Sequence, residues 1–167
     1  RLDRARQAGE RAEQEAAECR LKARFVSHAD PGFTLFETVR IEGGQALRLE
    51  VHLRRMSGSA AALGFRFDAE AVRGAVEDAV RGLDTGAVHR LRIDLWRDGR
   101  VAFRSGLLAP LEAQVVSLLW PDSPLSGMEA ALLAHKTSLR SGYDAAIHRA
   151  EEKGAFDQLF VNPRGEL

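Results

Sequence analysis

The stretch AHKTSLRSGYD, residues 134–144, places Lys136 between a predicted loop and a predicted helix. Lysine is rare in this chain, because nearly every cationic position other than Lys22, Lys136 and Lys153 is arginine, which cannot form an imine. Lys136 has no acidic residue within six positions on either side, whereas Lys153 follows two glutamates. An amine activated by desolvation or by cationic neighbours is what Schiff-base chemistry requires. The alternative interpretation of Lys136 is an ordinary solvated lysine in front of a helix.

Length and composition favour a soluble, cytoplasmic, globular protein. The 167 residues allow one ordinary domain, or a small domain with part of a second, and the 45% hydrophobic content is enough for a core. The formal net charge of zero predicts no binding to nucleic acid or to an anionic membrane, and no apolar run is long enough to span a bilayer. Cys19 is the single cysteine, so no internal disulfide is expected, and no metal site is predicted. Because residue 1 is arginine, we do not expect it to be the natural start.

The sequence divides into four predicted segments. They are a charged helical tail or linker at 1–31, a small α/β domain at 32–120, an interdomain connection at 121–135, and the beginning of a second domain at 136–167. A turn signal at 162–165 opens a hairpin whose second strand would lie beyond the last residue. We therefore expect the second domain to be incomplete in this chain.

Hydrophobic periodicity and turn residues predict the elements of these segments. The first domain is expected to contain strands at 32–41, 46–49, 88–96, 100–104 and 113–120, and helices at 51–63 and from the N-cap Asp68 to Gly82. Hairpin turns are expected at Glu42-Gly43-Gly44 and at Asp98-Gly99. The second domain is expected to begin with a helix at 138–153 and a strand at 156–161.

Alternation along the first strand gives it two unlike faces. Phe36, Thr38 and Arg40 share one face, and the opposite face carries Leu35, Glu37, Val39 and Ile41. The polar first face has three interpretations: it meets solvent, it pairs with side chains of a neighbouring strand, or it lines a pocket. Arg90 and Arg92 likewise share one face of strand 88–96. Such arginines are more often solvated, but two guanidinium groups would also suit a carboxylated substrate.

A set of motifs resembles the class IV (fold type IV) pyridoxal-phosphate enzymes. In chain order they are FETVR at 36–40, HLRRM at 52–56 with SA at 59–60 and LGF at 63–65, KT at 136–137 with Tyr143, FDQLFVN at 156–162 and GEL at 165–167. Their order and spacing are specific, although each alone is weak. Within the family they are most similar to aminodeoxychorismate lyase. Residues 18–25 are also similar to the joint in fusions of such a lyase with aminodeoxychorismate synthase component I.

The resemblance implies a two-domain α/β (α+β) fold with pyridoxal 5′-phosphate in the cleft between the domains, usually in a homodimer. It implies that Lys136 forms the Schiff base, that Arg55 holds the cofactor phosphate, and that Thr38 relays a proton. Tyr143 would approach the cofactor ring. Arg92 is the candidate for binding a substrate carboxylate. Thr38 as an ordinary strand residue and Tyr143 as a core residue remain alternatives.

The implied reaction converts 4-amino-4-deoxychorismate into 4-aminobenzoate and pyruvate, a step of folate biosynthesis. The family's glutamate that pairs with the pyridine nitrogen lies beyond Leu167, and Glu166 matches an earlier position of the pattern. Two alternatives stay open. One is a class IV aminotransferase for branched-chain or D-amino acids, and the other is an inactive truncated fragment that acts as a structural or dimerisation module.

Overall fold

The computed structural model describes residues 32–112, 115–121, 132–162 and Glu166. The predicted tail at 1–31, most of the predicted connection and residues 163–165 of the predicted turn lie outside the described residues.

An antiparallel sheet of four strands organises the first part of the chain. Its strands are β1 (Leu35–Glu42), β2 (Gln45–Ala46), β3 (His89–Leu95) and β4 (Val101–Leu107), and their spatial order is β2-β1-β3-β4. Gly43 and Gly44, with φ of 57° and 74°, provide the left-handed conformations needed for the tight turn between β1 and β2. The predicted hairpin across residues 98–99 joins β3 to β4, so both predicted turns are confirmed.

Two helices cover one face of this sheet. They are α1 (Leu49–Leu63) and α2 (Ala69–Arg81), and each buries residues at three- and four-residue steps. These residues pack with the inward side chains of β1 and β3 into one core: Leu35, Val39, Ile41, Leu53, Met56, Ala60, Leu63, Val72, Val76, Val80, Leu91, Ile93 and Leu95. Asp68 is the N-cap that was predicted, because its side chain accepts hydrogen bonds from the N–H groups of Glu70 and Ala71.

The later part of the chain has shorter elements than predicted. Helix α3 (Ser141–Glu152) packs its buried Ala146 and Ala150 inward, and β5 (Leu118–Leu119) pairs in parallel with β6 (Asp157–Gln158). The predicted strands at 113–120 and 156–161 are thus reduced to two residues each within the described chain. Across residues 163–165, the Asn162 N–H donates to the Glu166 carbonyl at 2.9 Å.

Two further boundaries differ from the predictions for local reasons. Arg48 adopts a left-handed conformation, with φ of 57°, so the strand predicted at 46–49 ends early and α1 begins at Leu49. The helix predicted from residue 138 begins at Ser141, because the Ser138 N–H donates to the Thr34 carbonyl and keeps this segment extended.

The described residues form two compact units. One contains residues 32–108 and 132–138, and the other contains 109–112, 115–121 and 139–162 with Glu166. Lys136 belongs to the first unit, and residues 109–112 belong to the second. No helix in the described ranges has both the length and the apolar character needed to cross a membrane.

Candidate active site

The backbone of Lys136 is fixed to the start of β1, which the short strand β2 leaves uncovered. Its carbonyl accepts a hydrogen bond from the Phe36 N–H at 2.9 Å, and Thr137 forms an antiparallel bridge with Leu35. Ser138 completes the junction, since its N–H donates to the Thr34 carbonyl at 2.8 Å and its hydroxyl accepts from the Thr34 N–H at 2.9 Å. Lys136 therefore sits on a short continuation of the sheet rather than on a mobile loop.

The residue before Lys136 is tethered to helix α1. His135 Nδ1 lies 3.0 Å from the hydroxyl oxygen of Ser59, which is buried on α1. The His135 N–H also donates to the Leu132 carbonyl at 2.9 Å. The lysine is thus held from both sides, by a helix through His135 and by a strand through Thr137.

The Lys136 amine lies over the ring of Phe36. Its Nζ is 5.0 Å from the ring centroid, and the Cζ of Arg92 is 3.7 Å from the same centroid. Both distances are within the range of cation–π attraction. Lys136 and Arg92 therefore contact the same aromatic ring, a relation that no sequence spacing indicated.

Thr38 lies on the same face of the sheet as Phe36 and Arg92. The strand register places Thr38 opposite Arg92 and places Phe36 opposite Asp94, and directly opposed residues of antiparallel strands share a face. Of the three interpretations of this polar face, cross-strand pairing is therefore observed. Phe36 is buried, Thr38 is partly buried, and Arg40 at the far end is exposed.

Asp94 holds Arg92 in place. Arg92 approaches one oxygen of the buried Asp94 carboxylate through Nη2 at 2.7 Å and Nε at 2.9 Å, and Arg104 Nη2 donates to the other oxygen at 2.8 Å. Burial by itself raises the pKa of Asp94, but the hydrogen bonds from both arginines outweigh it and hold the pKa below its ordinary value. One carboxylate thus faces two guanidinium groups, and this face of the sheet keeps a net positive charge.

Sequence reasoning did not identify Asp94 and Arg104 as parts of this cluster. The signal was present, because the predicted Asp98-Gly99 hairpin fixes the register that brings Arg104 opposite Arg92.

Arg55 is held by a buried glutamate on the other face of β1. Arg55 Nε donates to Glu37 Oε1 at 2.6 Å and its Nη2 to Glu37 Oε2 at 2.5 Å, while His52 Nδ1 lies 2.8 Å from Glu37 Oε2. Glu37 is 2% exposed and Arg55 is 51% exposed. The hydrogen bond to Glu37 raises the pKa of Arg55. Burial opposes ionisation of Glu37, yet Arg55 and His52 keep its pKa below the ordinary value.

Glu37 occupies only some of the N–H groups of the Arg55 guanidinium. A guanidinium has five N–H groups, and the pairing occupies one on Nε and one on Nη2. The remaining edge belongs to a half-exposed side chain and suits a second anion. Sequence reasoning missed Glu37 and His52 as partners of Arg55, although a carboxylate on an apolar strand face always requires a partner.

The predicted site residues fall into three groups. Thr38 and Arg92 share one face of the sheet with Phe36, whose ring the Lys136 amine contacts. Arg55 approaches β1 from the opposite face, where Glu37 points. Tyr143 belongs to the second unit, where its ring meets Phe160 edge to face with centroids 4.9 Å apart. The described ranges contain no group of three or more His, Cys, Asp or Glu side chains arranged for a metal ion.

Comparisons with known proteins give a consistent result. Residues 34–167 match the model of the family described as "Amino-transferase class IV". Among solved structures, the chain is similar to a "putative amino-acid aminotransferase" from Mesorhizobium loti, with 36% identity and a TM-score of 0.68 over 80% of this chain and 64% of that one. It is also similar to a "putative 4-amino-4-deoxychorismate lyase", with 27% identity and a TM-score of 0.68 over 85% of this chain and 57% of that one.

A third structure, an aminotransferase from Brucella abortus bound to the cofactor PLP, has 17% identity and a TM-score of 0.64 over 79% of this chain and 53% of that one, and this likeness shows the fold alone. No curated protein matched the chain. The chain spans between about half and two thirds of the length of these three structures.

Proposed function

Because the chain belongs to the amino-transferase class IV family, we propose that it is the lysine-bearing part of a pyridoxal-phosphate-dependent lyase that converts 4-amino-4-deoxychorismate into 4-aminobenzoate and pyruvate in folate biosynthesis. The predicted family and the predicted mixed fold are confirmed. Similarity to the structure named as a lyase supports the choice of reaction.

The observation that carries the proposal is the setting of Lys136. Its backbone is held by the edge of β1, and its amine shares the Phe36 ring with Arg92. A primary amine whose backbone is fixed is the nucleophile that an aldehyde cofactor requires. The Arg55 N–H groups that Glu37 does not occupy are the donors that a phosphate group requires. The chemistry of each residue suits its part of pyridoxal 5′-phosphate, with Lys136 holding the aldehyde carbon and Arg55, which approaches β1 from the opposite face, holding the phosphate.

Each candidate residue then has a defined task. When bound, the cofactor supplies an aldehyde that combines with amines and a ring that accepts electrons. Lys136 Nζ accepts the proton from the substrate carbon that bears the amino group. The Thr38 hydroxyl gives a proton to the departing enolpyruvyl group, and Arg92, held by Asp94, binds a substrate carboxylate. Tyr143 lies near the cofactor ring in this proposal.

A class IV aminotransferase is the second candidate. The 36% identity to the structure named as an amino-acid aminotransferase favours it. Both activities use Lys136 and Arg55. They differ in the fate of the substrate, because the lyase releases its enolpyruvyl group and the aminotransferase transfers its amino group. Pyruvate release from 4-amino-4-deoxychorismate supports the lyase, whereas amino-group transfer to a 2-oxo acid supports the aminotransferase.

The remaining parts of the proposal concern the assembly. We propose a cytoplasmic homodimer, as is usual for the family, and retain a fused or associated aminodeoxychorismate synthase as a candidate partner. The molar mass in solution, measured by light scattering, tests the dimer. The third alternative, a module without catalysis, requires that the chain does not bind pyridoxal 5′-phosphate.

The first test is the absorbance spectrum of the chain with added pyridoxal 5′-phosphate, before and after borohydride reduction. We expect an imine band, and reduction should fix the cofactor onto Lys136, as peptide mass mapping would detect. Lys136→Ala should lose the band. Lys153→Ala is the matched control, because Lys153 is exposed at the end of α3, and it should keep the band. Identical spectra for wild type and Lys136→Ala would refute the proposal.

A further inference from the structure

We infer that Glu37 is a positioning residue, whose buried carboxylate fixes the Arg55 guanidinium in the orientation that receives the cofactor phosphate. This inference rests on the proposed function of Arg55. It assigns a specific task to a glutamate that the proposed reaction does not otherwise use.

The contacts at Glu37 define a single orientation of Arg55. Two parallel hydrogen bonds, at 2.6 and 2.5 Å, join two guanidinium nitrogens to the two carboxylate oxygens, so the plane of the guanidinium is set by the carboxylate. His52, one turn earlier on α1, contacts Oε2 at 2.8 Å and restrains the carboxylate in turn. Arg55 is otherwise half exposed, and a long exposed side chain would sample many rotamers without this support.

Stability alone is a weak explanation for this arrangement. Glu37 lies on the strand face that also carries Leu35, Val39 and Ile41, all of which are in the core. Apolar side chains at such positions are commonly as stable as a buried ion pair, or more stable, because a charge loses its hydration on burial. A carboxylate here therefore points to a task at the exposed end of the pair. That end carries the Arg55 N–H groups that Glu37 does not occupy.

Charge and orientation have opposite effects on phosphate binding, so the test must separate them. The negative charge of Glu37 partly neutralises Arg55 and weakens its attraction for phosphate. The paired hydrogen bonds, in contrast, hold the Arg55 guanidinium in one orientation and so favour phosphate binding. Glu37→Asp keeps the charge and withdraws the carboxylate by one methylene group. Glu37→Gln keeps the length and removes the charge. The matched control is Glu42→Asp, which shortens an exposed glutamate of the same strand that is paired with Arg40.

The measurement is the ratio of the dissociation constants for pyridoxal and for pyridoxal 5′-phosphate, obtained by absorbance titration of each variant. The two probes share the aldehyde and differ in the phosphate, so the ratio reports the phosphate contribution. We expect Glu37→Asp to lower the ratio by about ten- to a hundredfold, the range carried by hydrogen bonds to charged groups. The affinity for pyridoxal and the ratio for Glu42→Asp should not change.

The outcomes distinguish the inference from the proposed function. An unchanged or increased ratio in folded Glu37→Asp, with folding verified by circular dichroism, overturns the inference while the proposed function stands. If Glu37→Asp does not fold, Glu37→Gln decides, with a lower ratio supporting the inference and an equal or higher ratio overturning it. A wild-type chain that binds both probes equally refutes the role of Arg55, and the inference falls with it.

Discussion

Replacing Asp94 by asparagine removes the charge that joins Arg92 to Arg104. Arg92 is 26% exposed and Arg104 is 69% exposed, so the contacts with Arg92 carry most of the effect. Hydrogen bonds to a charged partner contribute about 1.5–3 kcal/mol each, and an exposed ion pair contributes about 0–1 kcal/mol. We expect Asp94→Asn to lower the free energy of unfolding by about 2–4 kcal/mol. For a chain of this size the Tm should fall by about 5–10 °C.

The same substitution has a defined pH dependence. The folded state holds the pKa of Asp94 below 3.8, its ordinary value, so the stabilisation is fully present above that value. It is lost as the pH falls from there through the folded pKa, because protonation then breaks the pairing with both arginines. The stability difference between wild type and Asp94→Asn should therefore be constant from pH 7 to about pH 5 and should narrow below about pH 4.

Urea unfolding, followed by circular dichroism at intervals from pH 7 to pH 3, measures both quantities. Asp78→Asn is the control, since Asp78 is an exposed carboxylate paired with Arg81 on α2 and should show little change. Equal unfolding free energies for wild type and Asp94→Asn at pH 7 would contradict the expected magnitude. A difference that does not narrow between pH 5 and pH 3 would contradict the assigned cause.

Three other substitutions test single contacts by urea unfolding or hydrogen exchange. Thr137→Val should raise the free energy of unfolding by about 1 kcal/mol, because the buried Thr137 hydroxyl has no hydrogen-bond partner among the described residues; lower stability would reveal a partner. Asp68→Ala should cost about 1 kcal/mol through loss of the α2 N-cap, and an unchanged midpoint would show that the cap contributes nothing. Ser59→Ala should speed amide exchange at 135–138 about fivefold, whereas unchanged exchange would show that the His135 contact does not hold this segment.

Local patterns predicted most of the first unit. The alternation along β1 identified Leu35, Glu37, Val39 and Ile41 as one face, and all four are buried. Periodicity and the Asp68 cap located α2, and the glycine turns located both hairpins. These features depend on residues close in sequence, so a single sequence contains the information.

Contacts between distant residues could not be predicted in this way. Alternation placed Glu37 on the core face, but nothing in the local pattern named Arg55, 18 residues later, as its partner. Lys136 was singled out by the scarcity of lysine and then by family resemblance, and neither indicated that its backbone would pair with β1. The strands around β5 and β6 were predicted too long because β-branched and apolar content alone does not show where pairing stops.

The backbone pairing of residues 136–138 with the start of β1 also affects the order in which the chain folds. The hydrogen bond between Thr34 and Ser138 closes a loop of 104 residues, whereas the strands β1 to β4 are contiguous with their helices and precede residue 108. Closure of so long a loop is slow, and during synthesis it must wait for residue 138. The sheet and its core can therefore assemble first, with the edge of β1 left open. Lys136 joins the sheet only after β1 to β4 have been synthesised, so this scaffold can form before the amine is in position.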